Sequence, residues 1–256
     1  MSTDNICYEL PMNERLRFFM RLEFMFSQFK THKSKDSVTD SHDAIISLID
    51  ILKFVAQQDV KKEILKEFDR ITGALQRLQD SPKIEQSKLS GVLGNISDLR
   101  SQFREIDGPI GRHLREDELV KTLINRNSAP GGLTQFDPPF YCYWLNQPYE
   151  RREADMARWF ATYERLDTAI SLILNMIRES SRPTPHTANN GTYQQNLNAK
   201  TPNQLVSVTL PQDSPFYAEI SGSKHRITIR FMDTNATPRP VPTTDSVEFM
   251  LSCCIL

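Results

Sequence analysis

The spacing of apolar residues changes along this chain of 256 residues, and that change decides what it can fold into. From Leu16 onward they recur at intervals of three and four, the repeat of a helix face. Beyond Gln204 they recur at every second residue, the repeat of a strand face. A short stretch near the start, "NICYELP", also alternates: Ile6, Tyr8 and Leu10 share a side, and Pro11 closes it. Strand material thus flanks a helical block. This predicts an α+β fold, a multi-helix bundle domain plus a small, mostly antiparallel β-sheet domain built as one discontinuous layer.

Within the helical block Asn13 is a good N-cap. A helix then runs from about Glu14 to Phe29, with Leu16, Phe19, Met20, Leu22, Met25, Phe26 and Phe29 at helical spacing. "DAIISLIDILKFVA" follows. "VKKEILKEFDRITGALQRLQ" has Asp59 as its cap and Ile64, Phe68, Ile71, Leu75 and Leu78 as its stripe. "SKLSGVLGNISDLRSQFREI" and "LREDELVKTLINRN" complete the run, joined by short polar turns as in a bundle. "SAPGG" interrupts it, and the aromatic "LTQFDPPFYCYWL" reads as extended chain bent at Pro138 and Pro139. Helix resumes at Pro148 and lasts to about Ser181.

The polar segment "SRPTPHTANNGTYQQNLNAKTPN" reads as a loop. After it come four strand candidates, "QLVSVTLP", "FYAEIS", "HRITIRFM" and "SVEFMLSCCIL", with "SGSK" as a turn between the second and third. The expected organisation is a helical domain over 12–130 and 147–181, a β domain over 4–11, 132–146 and 204–256, and a loop over 182–203. Leu16, Phe19, Leu22, Phe26, Phe68, Leu75, Ile170 and Ile173 are expected in the core.

The formal net charge of −1 argues against a dedicated nucleic-acid binder, so any basic site is local. No apolar run is long enough to span a bilayer, and the first residues lack the pattern of a signal peptide. Cys7, Cys142, Cys253 and Cys254 show no metal-ligand spacing and read as reduced thiols. Phosphate-loop, dinucleotide, zinc-hydrolase and nucleophile-elbow motifs are all missing. His32, His42, His113, His186 and His225 are scattered. His113 could pair with Asp117, but no nucleophile lies near in sequence, and Glu116, Asp117 and Glu118 read as the acidic start of a helix. The chain is not expected to be an enzyme. "CCIL" fits a prenylation pattern at Cys253, which gives the alternative of a lipid-anchored, membrane-associated interaction protein. No basic stretch precedes it, and the same residues continue a strand.

Two basic faces remain. Arg17 and Arg21 stand four apart on the first helix, with Glu14 near Arg17. In "SGSKHRITIRFM", read as a strand, Lys224, Arg226, Thr228 and Arg230 point one way, and His225, Ile227, Ile229 and Phe231 the other. Lys224 and Arg226 repel by only about 0.6 kcal/mol in water at ~7 Å, so an exposed strand tolerates them without a partner. A solvated surface and a binding face therefore both fit. The apolar side favours the second, because it fixes the cations on a rigid platform.

The stretches "ELPMNERLRFFMRLEF", "ILKEFDR", "GRHLREDELV", "APGGLTQFDPPFYCYWL", "TYQQN", "SGSKHRITIRFM" and "FMLSCC" are spread in order over nearly the whole chain. Through them the sequence resembles the ZapD family of cell division proteins. The resemblance implies a cytoplasmic homodimer at the mid-cell division ring. This dimer would bind the C-terminal tail of FtsZ, the tubulin-like protein of that ring, and bundle FtsZ filaments. It assigns tail binding to Arg17, Arg21, Lys224, Arg226 and Arg230. It implies no cofactor, no metal, no nucleic acid and no direct membrane insertion.

Overall fold

A computed structural model describes residues 5–77, 85–198, 200–233 and 240–256. The chain divides into two compact units, one of Phe19–Ile173 and one of Met1–Phe18 with Leu174–Leu256. The α+β class holds, with α-helices and antiparallel strands segregated along the chain.

The helices are α1 (Glu14–Lys33), α2 (Val38–Val55), α3 (Val60–Gln76), α4 (Gln86–Arg104), α5 (Arg112–Glu116), α6 (Glu118–Asn127), α7 (Pro139–Leu145) and α8 (Tyr149–Glu179). Side-chain caps set several of their starts. Asn13 Oδ1 accepts from the Leu16 N–H at 2.9 Å, Ser37 Oγ from Asp40 at 2.9 Å and Asp59 Oδ1 from Lys62 at 3.0 Å. Asp117 accepts from the N–H groups of both Leu119 and Val120 at the head of α6.

In the helical unit Phe26, Phe29, Phe160 and Tyr163 form an aromatic core, with Phe29 stacked on Phe160 at 4.5 Å. Leu16, Phe19, Leu22, Phe26, Phe68, Ile170 and Ile173 are buried as expected. Leu75 is only half-buried, because α3 ends one residue later and its last turn is less covered. Leu78 lies outside the described residues.

One buried cation sits among these helices. Arg152 is 4 % exposed and donates to the carbonyls of Asp36 (2.7 Å), Ser37 (3.2 Å) and Gln147 (3.1 Å) and to Ser41 Oγ (2.6 Å). A buried guanidinium is tolerated when its donors are met in this way.

The segment 132–146, expected to be extended and part of the β layer, is corrected. Pro139–Leu145 is α7, within the helical unit. Tyr141, Trp144 and Leu145 are buried at helical intervals, and Pro139 occupies the first turn, where its missing N–H costs nothing. The aromatic residues favoured a strand by propensity, and packing of one helix face overrode them.

The β unit contains β1 (Asn5–Pro11), β2 (Thr184–Ala188), β3 (Thr192–Asn196), β4 (Leu205–Pro211), β5 (Phe216–Gly222), β6 (Arg226–Asp233), β7 (Val241–Pro242) and β8 (Val247–Cys254). They form two antiparallel sheets rather than one layer. The first has the order β1-β4-β8-β2; the second is β3-β6-β5, with β7 beside β6. The N-terminal strand pairs with β4, placing Ile6 opposite Leu210 and Leu10 opposite Val206. Val206, Val208, Phe249 and Leu251 from the first sheet share a core with Ile227, Ile229 and Phe231 from the second.

The expected loop at 182–203 is also corrected, since it contains β2 and β3. They meet in a two-residue turn, Asn190-Gly191, where both residues have positive φ, as hairpins that match strand twist require. Gly191 has a second constraint: a Cβ there would lie 2.1 Å from the Thr243 carbonyl oxygen. Polar composition hid these strands, because most of their side chains face water or are only half-covered.

Candidate functional site

β6 separates its two sides sharply. Ile227, Ile229 and Phe231 are fully buried, while Arg226 and Arg230 are exposed and Thr228 is half-exposed between them. Four residue steps along the strand separate the two arginines, roughly 13 Å. Neighbouring strands complete the face. β3 sets Asn196 opposite Arg226, Gln194 opposite Thr228 and Thr192 opposite Arg230. β5 sets Ser221 opposite Thr228 and Glu219 opposite Arg230. The next row holds Tyr217, half-buried, opposite Met232. Among the described residues neither arginine has an ion-pair partner within 4.0 Å.

Lys224 does not lie on the strand, which corrects its expected place in the alternation. It occupies the β5–β6 turn with His225, and the Ser223 N–H donates to the Arg226 carbonyl at 2.8 Å across that turn. Lys224 is exposed at the tip of the hairpin that carries Arg226. Arg17, on α1 in the same unit, is half-exposed and paired with Glu14 at 3.3 Å. Arg21, also on α1, is exposed and belongs to the helical unit. The structure therefore groups Arg226, Arg230 and Lys224 on one hairpin and leaves Arg17 and Arg21 on a helix.

Sequence reading missed Glu219. Its alternation with Ala218, which is buried, marks it as outward-facing. Only the pairing register places it beside Arg230, and register is not written in either strand alone. The face is thus two cations and one opposed acid, with a ring of neutral polar groups.

The residues weighed for catalysis are in structural use. Asp117 caps α6, Glu116 pairs with Arg112 at 2.9 Å, and His113 Nε2 lies 2.8 Å from Thr162 Oγ1. Among the described residues no cluster of three or more His, Cys, Asp or Glu side chains could hold a metal. Cys253 sits in β8 opposite Val206, half-buried, with its thiol pKa raised by burial. Burial pushes the Cys254 thiol up to about 11. Both are thiols rather than reactive thiolates near neutral pH. No described helix is long and apolar enough to cross a membrane.

Comparison with known proteins gives one consistent result. The family model ZapD, described as a cell division protein, matches residues 20–230. A protein of Methylococcus capsulatus named "Cell division protein ZapD" is 38% identical over 253 residues, covering 99% of each chain. Proteins of the same name from Coxiella burnetii (33% over 256 residues, 99% of each chain) and Nitrosomonas eutropha (34% over 254 residues, 98% of this chain and 100% of the other) are similar along their full length.

Proposed function

Because the chain belongs to the ZapD family of cell division proteins, we propose that its role in division is to bind the C-terminal tail of FtsZ and cross-link FtsZ filaments. It acts in the cytoplasm at the mid-cell ring, as a homodimer, without catalysis. The observation that carries this reading is β6: two exposed arginines held by a strand whose other side is fully buried. A rigid cationic face of this kind suits an acidic peptide, since little conformational freedom is lost when the ligand docks.

Arg226 and Arg230 are the principal contacts, and Lys224 extends them along the hairpin. Arg17 and Arg21 are further contacts, Arg17 after release from Glu14. Exposed ion pairs contribute about 0.2–1 kcal/mol each, whereas a micromolar complex needs about −8 kcal/mol. Charge alone therefore cannot hold the tail, and its apolar residues must also be covered. Tyr217, half-buried in the row next to Arg230, is positioned for part of that contact. A filament displays many tails and a symmetric dimer offers two faces, so weak single contacts multiply into bundling.

The test is co-sedimentation with FtsZ filaments, with and without the FtsZ tail. Bundles are expected only when the tail is present. Equal bundling of tail-less filaments would overturn the proposal, as would bundling by a strict monomer.

A further inference from the structure

The outward side of the second sheet changes character along β6. Its outward residues follow one another two apart as Arg226, Thr228, Arg230 and Met232. Met232 breaks the polar run: it is 8 % exposed, yet it lies outside the core that the two sheets share. Its cross-strand neighbours are Tyr217 on β5 and Pro242 on β7. Directly opposed residues share a side of the sheet, so these three form one apolar row across three strands. The row stands about 7 Å beyond Arg230 along the strand. β7 is pinned there, because the Thr243 N–H donates to the Phe231 carbonyl at 2.9 Å. Pro242 is exposed and Tyr217 half-buried, so the row still presents apolar surface to solvent.

Charge is also uneven across the sheet. On the β5 side Glu219 opposes Arg230. On the β3 side Asn196, Gln194 and Thr192 oppose Arg226, Thr228 and Arg230, and all three are neutral hydrogen-bonding residues. An acidic ligand is therefore repelled from β5 and accepted over β6 and β3. Asp233, the next acid along β6, falls on the other side by alternation.

We propose that an acidic, partly apolar peptide lies lengthwise over β6 and β3, its carboxylates at Arg226 and Arg230 and its apolar side chains on the row of Tyr217, Met232 and Pro242. This rests on the tail-binding reading above and adds to it a direction and an apolar seat. For an extended peptide the spacing sets the order. Carboxylates four residues apart match the two arginines, and an apolar residue two further on meets the row. Burial of that residue supplies the attraction that exposed ion pairs lack.

The test measures binding of a labelled synthetic FtsZ tail peptide to the full chain by fluorescence anisotropy, from low to physiological salt. Tyr217→Ser should weaken binding about five- to twentyfold at every salt concentration, and Tyr217→Phe should keep it near wild type. Pro242→Ser should weaken it about two- to threefold. Arg226→Gln should weaken it mainly at low salt and flatten the salt dependence, because exposed charges are screened. A nitroxide beside an acidic residue of the peptide should broaden the Arg226 NMR signals most, and one beside an apolar residue the Met232 methyl signal. Absence of peptide binding by the wild-type chain would overturn the tail-binding reading itself. Binding left undiminished by both Tyr217→Ser and Pro242→Ser, or a nitroxide pattern reversed or even along β6, would overturn the direction and the apolar seat alone. Should Tyr217→Ser fail to fold, Pro242→Ser and the nitroxide pattern in the wild type decide.

Discussion

Arg152 and Arg226 offer a comparison between two regions of the molecule. Arg152 is sealed among helices with its donors spread over three carbonyls and a hydroxyl, whereas Arg226 stands in solvent on β6. The buried arginine ties α8 to the α1–α2 turn and to the backbone just ahead of α8, with four of its five N–H donors engaged inside the protein. The exposed one has no ion-pair partner among the described residues, so its donors are open to a carboxylate. Exposure by itself is common and means little. What distinguishes β6 is that one side of a single strand is anchored while the other is free.

The largest effect should come from destroying the anchor. Ile229→Glu places a charge in the shared core of both sheets and should destabilise by more than about 4 kcal/mol, seen as loss of cooperative unfolding in the β unit. Arg152→Met comes next. It leaves the Asp36, Ser37 and Gln147 carbonyls without their donor, with an expected cost of about 3 kcal/mol and a Tm lowered by roughly 6–12 °C. A loss below about 0.5 kcal/mol would show that Arg152 is not structural and would break the comparison from its buried side.

Arg226→Glu should behave in the opposite manner. Stability should stay within about 0.5 kcal/mol of wild type, while FtsZ bundling in a sedimentation assay is abolished or sharply reduced. Arg230→Glu should lose bundling equally and cost a few tenths of a kcal/mol more, because it sets two acids directly opposite each other at Glu219. Normal bundling by both variants at moderate salt would mean the face is only solvated surface. The smallest effect is the most discriminating. Glu219→Gln removes the opposed acid and should strengthen co-sedimentation by about two- to fivefold. Weakened binding would instead indicate that Glu219 orients Arg230.

Sequence made some of this legible and hid the rest for definable reasons. Helix starts at Asn13 and Asp59 were readable because a cap is a local event between residues three apart, whereas Asp117 was read as part of an acidic first turn and is the cap of α6. The inward set Ile227, Ile229 and Phe231 was readable because strand alternation is local too. β2 and β3 were not, since they gain their place from β8 and β6 rather than from their own apolar content. The "NNG" turn was the signal that marked them. α7 was misread because aromatic residues suit both periods, and Tyr141, Trp144 and Leu145 fit the helical one. Lys224 and Glu219 required the register: one fell into a turn and the other arrived beside Arg230 from a different strand.

The pairing of β1 with β4 has a consequence in time. Ile6 must wait for Leu210, roughly two hundred residues later in the chain, before its strand has a partner. At ordinary rates of synthesis that is a delay of roughly 10–40 s, during which β1 leaves the ribosome with both edges open. The helices beside it depend on nearer contacts and can form within that interval. A nascent strand so exposed is an aggregation hazard, and charged residues and proline are the usual guards against it. "NICYELP" carries both, with Glu9 on the face opposite Tyr8 and Leu10 and with Pro11 ending the run. Glu9 then acquires a second use when translation is over, as the partner of Arg178 at 2.9 Å.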